Sequence, residues 1–287
     1  MLGFLVATIY LTSINKVLVL HTASSIVTIL ITGGTGKTGS RLARRLLDAN
    51  YSVLLTSRKG VVPKPFKGIK FDWYDPSTFH NPFAADSNID RIYIVAPDGD
   101  RAGEVIRPMK PFIDLAVSKG VNQFVLLSAT TFEAEGPAMG KVHAYLLSLG
   151  VDYAVLRPSW FYENLLTMYL HDIKENNTII TASADVKIGF SHNTDHILTG
   201  PELLSYDDVA QILTDVLGRK ITHTRISVRE MKDRYIAFGL PEDFATLLAS
   251  IDELNASGVE ERIFGTPGKV TGKRTLRDFV EANKDSF

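Results

Sequence analysis

The chain has 287 residues and no cysteine. This absence excludes disulfides, thiolate nucleophiles and metal sites built on cysteine. It also fits a reducing compartment, so we expect a cytoplasmic protein. The seven histidines form no H-E-x-x-H or similar spacing. His192 and His196 are four residues apart but lie in a stretch rich in Thr and Asp, so we expect no bound metal.

An excess of charge of either sign is also lacking. Lys and Arg number 31 against 32 Asp and Glu, which gives a net charge of −1. A broad basic face for nucleic acid or an anionic membrane is therefore not expected. With 45% hydrophobic and 22% charged residues, the composition is typical of one large or two small globular domains.

Long apolar runs are missing as well. Residues 1–11 are mostly apolar and 17–20 form a second apolar patch, but neither reaches the roughly 18 residues of a membrane span. No Lys or Arg precedes the first run, although Ala23 lies in a small-residue zone that a signal peptidase could cut. Residues 1–27 are thus an atypical leader, and three interpretations stay open: a non-native segment, a targeting or anchoring segment, or part of the fold.

The most informative stretch present is a glycine turn between a predicted strand at 28–32 and a predicted helix at 40–50. A second strand is predicted at 51–56. The spacing of Gly33, Gly36 and Gly39 in this βαβ unit predicts a dinucleotide site, because glycine lets the backbone approach a pyrophosphate and the helix N-terminus binds anions. The predicted site also includes the other residues of this turn, which are Gly34, Thr35, Lys37 and Thr38.

The end of the second strand favours one form of the cofactor. NAD enzymes usually have Asp or Glu there to bind the ribose 2′-hydroxyl, whereas NADP enzymes have Arg nearby. Here Ser57, Arg58 and Lys59 follow Thr56, with no carboxylate. The planar fork of Arg58 suits a 2′-phosphate, so we expect NADP(H). An ordinary surface arginine is the alternative.

The rest of the chain continues the alternation of strands and helices. We predict strands at 69–73, 89–96, 123–127 and 152–156, and helices at 105–119, 137–149 and 205–217, the last with a Ser205–Asp208 capping box. Ligands bind at the carboxyl ends of such strands. That rule adds four residues to the predicted cofactor site: Asp72, Ala96, Pro97 and Ser128. Asp72 and Trp73 would lie near the adenine, or would simply end a strand and pack.

These elements predict an α/β fold, a doubly wound parallel Rossmann sheet. We place the NADP-binding domain at 28–165 and a small substrate-capping region at 166–287. Aromatic residues follow the sixth predicted strand, and we assign a substrate wall to Trp160, Phe161, Tyr162 and Asn164. A packed core cluster is the alternative.

Several segments together resemble the NmrA-like atypical short-chain dehydrogenases. They are TGGTGKTG at 32–39, IVAP at 94–97, LLSAT at 126–130, GKVHAYL at 140–146 and LRPSWFYENL at 156–165. Within that family, FDWYDPSTF at 71–79 and HNTDHILTGPELLSYDDVA at 192–210 are most similar to the fungal ergot alkaloid reductases. The resemblance covers about residues 28–287.

The resemblance implies an activity. Such enzymes use NADPH to reduce a cyclic iminium derived from chanoclavine-I aldehyde, giving agroclavine or festuclavine. The expected partners are a small-molecule alkaloid precursor and the other enzymes of that pathway. Lys141 would contact the nicotinamide ribose and is the predicted catalytic residue, with a solvated helix lysine as the alternative.

Two departures from the family leave other functions open. Residues 1–27 have no counterpart, and Phe190 runs directly into Ser191 where relatives have a further strand start and helix. The chain also lacks the Tyr-x-x-x-Lys pair of ordinary short-chain dehydrogenases; for example, Tyr145 is followed by Leu149. A non-catalytic NADP(H) sensor and an inactive truncated product are therefore alternatives to an enzyme.

Overall fold

The computed structural model describes residues 27–97, 105–183, 195–264 and 270–287. Most of the leader at 1–27, the junction at Phe190 and Ser191, and His192 lie outside these ranges. Contacts divide the chain into two compact units, with the change at Leu156 and Arg157. We call them the N-terminal unit and the C-terminal unit. The predicted division at 165 stays a prediction.

The N-terminal unit is built on a parallel sheet in the order β6-β5-β4-β1-β2-β3. Because parallel neighbours need crossover connections, helices connect most successive strands, whereas a loop connects β2 to β3. The strands are β1 (Thr28–Ile31), β2 (Ser52–Ser57), β3 (Lys67–Lys70), β4 (Ile89–Val95), β5 (Gln123–Leu127) and β6 (Asp152–Pro158). The helices are α1 (Gly39–Asp48), α2 (Asn81–Ala85), α3 (Ile106–Ser118) and α4 (Met139–Ser148). This arrangement confirms the predicted Rossmann fold.

The strand order reverses between β1 and β4. The chain builds outward from β1 through β2 to β3, then returns to place β4 on the other side of β1. In doubly wound sheets, ligands bind at the carboxyl ends of the strands at this switch point. The glycine turn follows β1, so the fold places it there.

Two predicted strands have limits that differ from the structure by two residues or more. β3 covers Lys67–Lys70 rather than 69–73, because an Asx turn breaks the strand pattern: the Tyr74 backbone N–H donates to Asp72 Oδ1 at 3.0 Å. β6 runs to Pro158, two residues beyond its predicted end. By contrast, β5 has the predicted limits.

A cluster of aromatic rings fills the core beside β4. Phe71 lies 4.8 Å from Trp73 and 4.7 Å from Phe112, centroid to centroid, in edge-to-face contacts. The Trp73 Nε1–H donates to the Val95 carbonyl oxygen at 3.1 Å, which satisfies the polar end of a ring that is 7% exposed. Trp73 is therefore a packing residue, one of the two interpretations given above.

The C-terminal unit contains two pairs of parallel strands among its described residues. β7 (Thr178–Thr181) pairs with β9 (Thr222–Arg225), and β8 (Asp195–Thr199) pairs with β10 (Val270–Thr271). Its helices are α5 (Leu170–Glu175), α6 (Tyr206–Leu217), α7 (Val228–Ala237), α8 (Glu242–Ala256), α9 (Val259–Phe264) and α10 (Leu276–Ala282). The largest core cluster joins α5, α6, β7 and α10. In the part of the chain that the structure describes, no helix is long and apolar enough to cross a membrane.

The predicted capping box of α6 is confirmed. Ser205 Oγ accepts a hydrogen bond from the Asp208 backbone N–H at 3.1 Å, and Asp208 Oδ2 accepts one from the Ser205 N–H at 2.8 Å. Gly218 closes the helix in the left-handed conformation, with φ of 72°.

We expect Ser205→Ala to lower the free energy of unfolding by about 1 kcal/mol, because the first turn of α6 loses its cap. Ser250→Ala is the control, since its exposed hydroxyl makes only a local bond to Leu247 within α8. Urea denaturation followed by circular dichroism measures both. Equal midpoints for the two variants would contradict a stabilising role for the box.

Candidate dinucleotide-binding site

The glycine turn is tied to the sheet on both sides. The Val95 backbone N–H donates to Thr32 Oγ1 at 2.8 Å, and the Thr32 N–H donates to the Tyr93 carbonyl at 3.0 Å. The Gly34 N–H donates to Thr56 in β2 at 3.1 Å. The first residues of the turn are thus held between β4 and β2. Sequence reasoning missed the hydroxyl of Thr32, because a strand-end threonine has no distinctive pattern.

Three glycines of this turn disfavour a side chain, one through its backbone conformation and two through close contacts. Gly33 has φ of 62°, in the left-handed region that favours glycine. A Cβ on Gly34 would lie 2.7 Å from the Leu55 Cβ, and one on Gly39 would lie 2.5 Å from the Gly33 carbonyl oxygen. Close packing of turn, β2 and helix therefore requires glycine here, as it does in dinucleotide-binding turns.

Helix α1 presents an uncapped N-terminus beside this turn. Thr38 occupies the N-cap position but makes no side-chain cap hydrogen bond, and the first turn contains no acid. The positive end of the helix dipole is consequently available to an anion. Thr35, Gly36 and Lys37 are exposed along the same turn. These features fit the pyrophosphate of a dinucleotide.

The end of β2 carries an exposed cation. Arg58 directly follows the strand and makes no ion pair with any residue in the ranges that the structure describes. Ser57 is already used within its loop, because its hydroxyl donates to the Val61 carbonyl at 2.8 Å. Of Ser57 and Arg58, it is therefore Arg58 whose side chain can contact a phosphate.

The cofactor-site residues that we predict after β3, β4 and β5 differ in burial and in hydrogen bonding. Asp72 is half-buried, with one carboxylate oxygen accepting from Tyr74. Ala96 and Pro97 follow β4 directly and are half-buried. Ser128 is 5% exposed, and its hydroxyl finds no hydrogen-bond partner among the described residues. Buried hydroxyls are normally paired, so Ser128 has capacity for a ligand.

A strained loop leads into α4. Ala138 has φ of 49° and ψ of −119°, a conformation that residues with a side chain rarely adopt. Close by, a Cβ on Gly140 would lie 2.2 Å from the Glu133 carbonyl oxygen. Such strain concentrates at functional sites, and an alanine gives no sign of it in the sequence. Lys141, the predicted catalytic residue, lies exposed in the first turn of α4.

The other polar residues of α4 do not offer a proton donor of the Tyr-x-x-x-Lys kind. The Tyr145 hydroxyl donates to the Asp114 carboxylate on α3, and Lys110 donates to that hydroxyl at 2.8 Å. His143 is 4% exposed and packs 5.8 Å from the Tyr153 ring, so it is a core histidine.

The predicted substrate residues belong to the C-terminal unit. Trp160 and Phe161 are half-buried after β6, and Tyr162 and Asn164 lie in the 3₁₀ turn Tyr162–Leu166. The Tyr162 ring packs 5.7 Å from Phe279, and burial raises the pKa of its hydroxyl, with smaller contributions from Glu202 and Asp278. Tyr162 therefore packs on Phe279 with one side of its ring. A substrate contact for Tyr162, as for Trp160, Phe161 and Asn164, stays a prediction.

Comparison with known proteins identifies the family. Residues 29–136 match the NAD dependent epimerase/dehydratase family. The chain is 41% identical to agroclavine dehydrogenase of Claviceps fusiformis, over 90% of this chain and 98% of that protein. It is 39% identical to festuclavine synthase I of Penicillium roqueforti, over 91% and 99% respectively. The chain belongs to the NmrA-like atypical short-chain dehydrogenases. The NmrA-like resemblance is thereby confirmed, together with its similarity to the fungal ergot alkaloid reductases.

Solved structures agree with this NmrA-like fold. Triphenylmethane reductase of Citrobacter sp., solved with NADP(H), superposes with a TM-score of 0.68 over 90% of this chain and all of that one, at 17% identity. The NmrA-like chain is an oxidoreductase by family, and a nicotinamide dinucleotide is the class of cofactor that its turn fits.

The alignment also shows a difference in length. The alignment with agroclavine dehydrogenase of Claviceps fusiformis is 286 positions long and includes 90% of this chain. That share is about 258 of the 287 residues, so this chain has gaps at about 28 of the aligned positions. The predicted gap between Phe190 and Ser191 lies outside the described residues and stays a prediction.

We expect Gly39→Ala to weaken NADPH binding at least about tenfold, equivalent to about 1.4 kcal/mol, because the new methyl group meets the Gly33 carbonyl and opens the turn. Gly150→Ala is the control: it also substitutes a glycine, with φ of 65°, but its Cβ would meet nothing within 4 Å. It should lower the melting temperature yet leave the dissociation constant unchanged. Fluorescence titration measures affinity, and similar affinities for both variants would refute the cofactor role of the turn.

Proposed function

We propose that this protein is an NADPH-dependent reductase of a cyclic iminium derived from chanoclavine-I aldehyde, giving agroclavine or festuclavine. The observation that carries the proposal is a dinucleotide turn intact in every glycine, in a chain without a Tyr-x-x-x-Lys proton donor. The names of its relatives, agroclavine dehydrogenase and festuclavine synthase, support the choice of substrate.

The missing proton donor fits the chemistry of an iminium. Reduction of a ketone creates an alkoxide that must be protonated, and loss of general acid catalysis typically costs a factor of about 10² to 10⁴. An iminium carries its positive charge before reduction and becomes a neutral amine, so no oxyanion forms. When bound, the reduced nicotinamide supplies the hydride.

The chain's own residues then need to bind, orient and exclude water. The glycine turn and the N-terminus of α1 would hold the pyrophosphate, and Arg58 the 2′-phosphate. Ser128 and Lys141 would contact the nicotinamide end of the cofactor. Trp160 and Phe161 would form a wall against a flat substrate.

A sensor that holds NADP(H) without turnover is the second candidate. The absence of Tyr-x-x-x-Lys favours it too, because a sensor needs the same turn and no proton donor. The identity to named dehydrogenases over nine-tenths of the chain favours the enzyme. An inactive product of a shortened gene is the third possibility.

One assay separates these functions. Purified protein is incubated with NADPH and chanoclavine-I aldehyde under conditions that form the cyclic iminium, and absorbance at 340 nm and clavine product are followed. We expect NADPH consumption with stoichiometric amine formation. NADPH binding without turnover would support the sensor, and a protein that neither binds NADPH nor unfolds cooperatively would support the inactive product.

We expect Arg58→Ala to raise the KM for NADPH about 10- to 100-fold and to leave the KM for NADH nearly unchanged. The reason is that a charge-assisted contact to the 2′-phosphate contributes about 1.5 to 3 kcal/mol, whereas NADH has no such phosphate. Lys119→Ala, an exposed cation at the end of α3, is the control. Equal loss for both cofactors would show that Arg58 does not read the 2′-phosphate.

A further inference from the structure

The near-zero net charge of the chain is the balance of two unequal parts. Residues 32–70 contain nine of the 31 Lys and Arg but only one of the 32 Asp and Glu. The remaining residues therefore hold 22 cations against 31 anions. With histidine neutral, residues 32–70 carry a net charge of +8 and the rest of the chain −9. Such a separation of charge points to an anionic partner for the positive part.

We call residues 32–70 the basic segment. It lies within the N-terminal unit, begins in the glycine turn and includes α1, β2 and β3. The start of α1 and the carboxyl end of β2 are the two places where the site presents groups that fit phosphates. The positive charge is thus concentrated in the part of the sequence that forms the candidate dinucleotide site.

Two cations lie where the dipole of α1 opposes them. Lys37 precedes the helix, and Arg41 is in its first turn, where its guanidinium donates to the Lys37 carbonyl oxygen at 2.7 Å. The same turn contains no acid. Because the N-terminus is the positive end of a helix, cations destabilise it there and acids are the favourable choice. The sequence therefore strengthens the positive field beside the glycine turn, although the helix itself is stabilised by the opposite sign.

Three more cations meet at the carboxyl ends of β2 and β3. Ser57 and Lys70 are partners in the ladder between these strands. Arg58 and Lys59 follow Ser57 directly. The turn then folds back on β3, since a Cβ on Gly60 would lie 3.1 Å from the Lys70 backbone nitrogen. All three cations are exposed, and none forms an ion pair with a residue in the described ranges.

The two acids that follow β3 are engaged with their own turn. Asp72 accepts from the Tyr74 backbone N–H at 3.0 Å, and Asp75 accepts from the Ser77 backbone N–H at 3.2 Å. The hydrogen bonds from Ser77 lower the pKa of the Asp75 carboxyl, and Lys70 makes a smaller contribution in the same direction. Neither acid forms an ion pair with the three cations. Their clustering therefore brings the fold like-charge repulsion without compensating pairs.

We propose that the basic segment guides the phosphates of the cofactor to the glycine turn, and that Lys59 and Lys70 act on the rate of association rather than by holding the bound cofactor. The choice of NADPH as the anion rests on the proposed function. A site surrounded by one sign of charge raises association rates by about 10- to 10³-fold. A phosphate monoester carries a charge of about −1.5 to −2 at pH 7, so the 2′-phosphate makes NADPH respond more than NADH.

Protection of a sheet edge is the structural alternative. β3 is the last strand beside β2, and Lys67 and Lys70 are exposed on it. Lysines on edge strands prevent pairing with another copy of the chain. That role explains the lysines of β3 but neither Lys59 nor the cations at the start of α1, which lie outside the strand. Guidance of an anion explains all of them.

The test is the association rate constant of NADPH for the full-length wild type and Lys59→Gln/Lys70→Gln, measured by stopped-flow fluorescence of the reduced nicotinamide. We expect the double variant to associate at least about threefold more slowly at an ionic strength of about 0.01 M, where the Debye length is about 30 Å. At about 1 M the Debye length is about 3 Å, and the two rates should converge. The dissociation rate constant should change less than about twofold, because charges at the rim of a site act mainly on association.

Lys119→Glu is the matched control. It changes the net charge by the same two units as the double variant, at an exposed position at the end of α3 and outside the basic segment. It should associate with NADPH like wild type. In wild type, the association rate constant of NADPH should fall more steeply with salt than that of NADH.

Four results would overturn the proposal. The first is an equal association rate for wild type and the double variant at low ionic strength, and the second an equal loss in Lys119→Glu. The third is a faster dissociation with unchanged association, which would make the lysines direct contacts. The fourth is unchanged NADPH kinetics combined with a new property of the double variant: self-association would assign the lysines to edge protection, and lost sedimentation with phosphatidylserine vesicles would assign them to a membrane surface.

The outcomes also separate this guidance from the proposed function. Lysine-dependent association of NADPH without turnover of the iminium would support the guidance and reject the function. Turnover with equal association rates for wild type and the double variant would leave the function intact and overturn the guidance. A wild type that does not bind NADPH would overturn both.

Discussion

The N-terminal unit depends on how closely the backbone can approach the carbonyl oxygen of Gly33. This oxygen accepts a hydrogen bond from the Gly36 N–H at 2.9 Å, and Cβ atoms on Gly36 and Gly39 would lie 3.2 and 2.5 Å from it. Because glycine has only a hydrogen atom as its side chain, α1 can begin this close to the end of β1. The helix N-terminus and the switch point of the sheet therefore lie together, an arrangement that suits an anion.

The parts of the fold that could be predicted from sequence have local causes. The glycine spacing, the Ser205–Asp208 box and the limits of β5 each depend on residues a few positions apart. The early end of β3 was missed because the Asx turn at Asp72 ends the strand pattern, and Trp73 then reaches Val95, a partner far along the chain. The strain at Ala138 was missed because alanine gives no sign of a positive φ.

The burial of Asp252, which is 0% exposed on α8, was missed for a different reason. Its helix looks amphipathic in sequence, and an Asp between apolar residues is normally assigned to the solvent side. Tertiary packing turns it inward beside Ser183, 69 positions away.

The hydrogen bond from Trp73 to Val95 has one more consequence. The chain has two tryptophans, and each follows a strand of the parallel sheet: Trp73 comes after β3, and Trp160 after β6. The Trp73 indole is bonded to the carbonyl that precedes Ala96 and Pro97, so any ligand that shifts this loop changes the electric field on that ring. Trp160 belongs to the other unit. The protein thereby contains one tryptophan in each of its two units, and both can serve as native fluorescence probes.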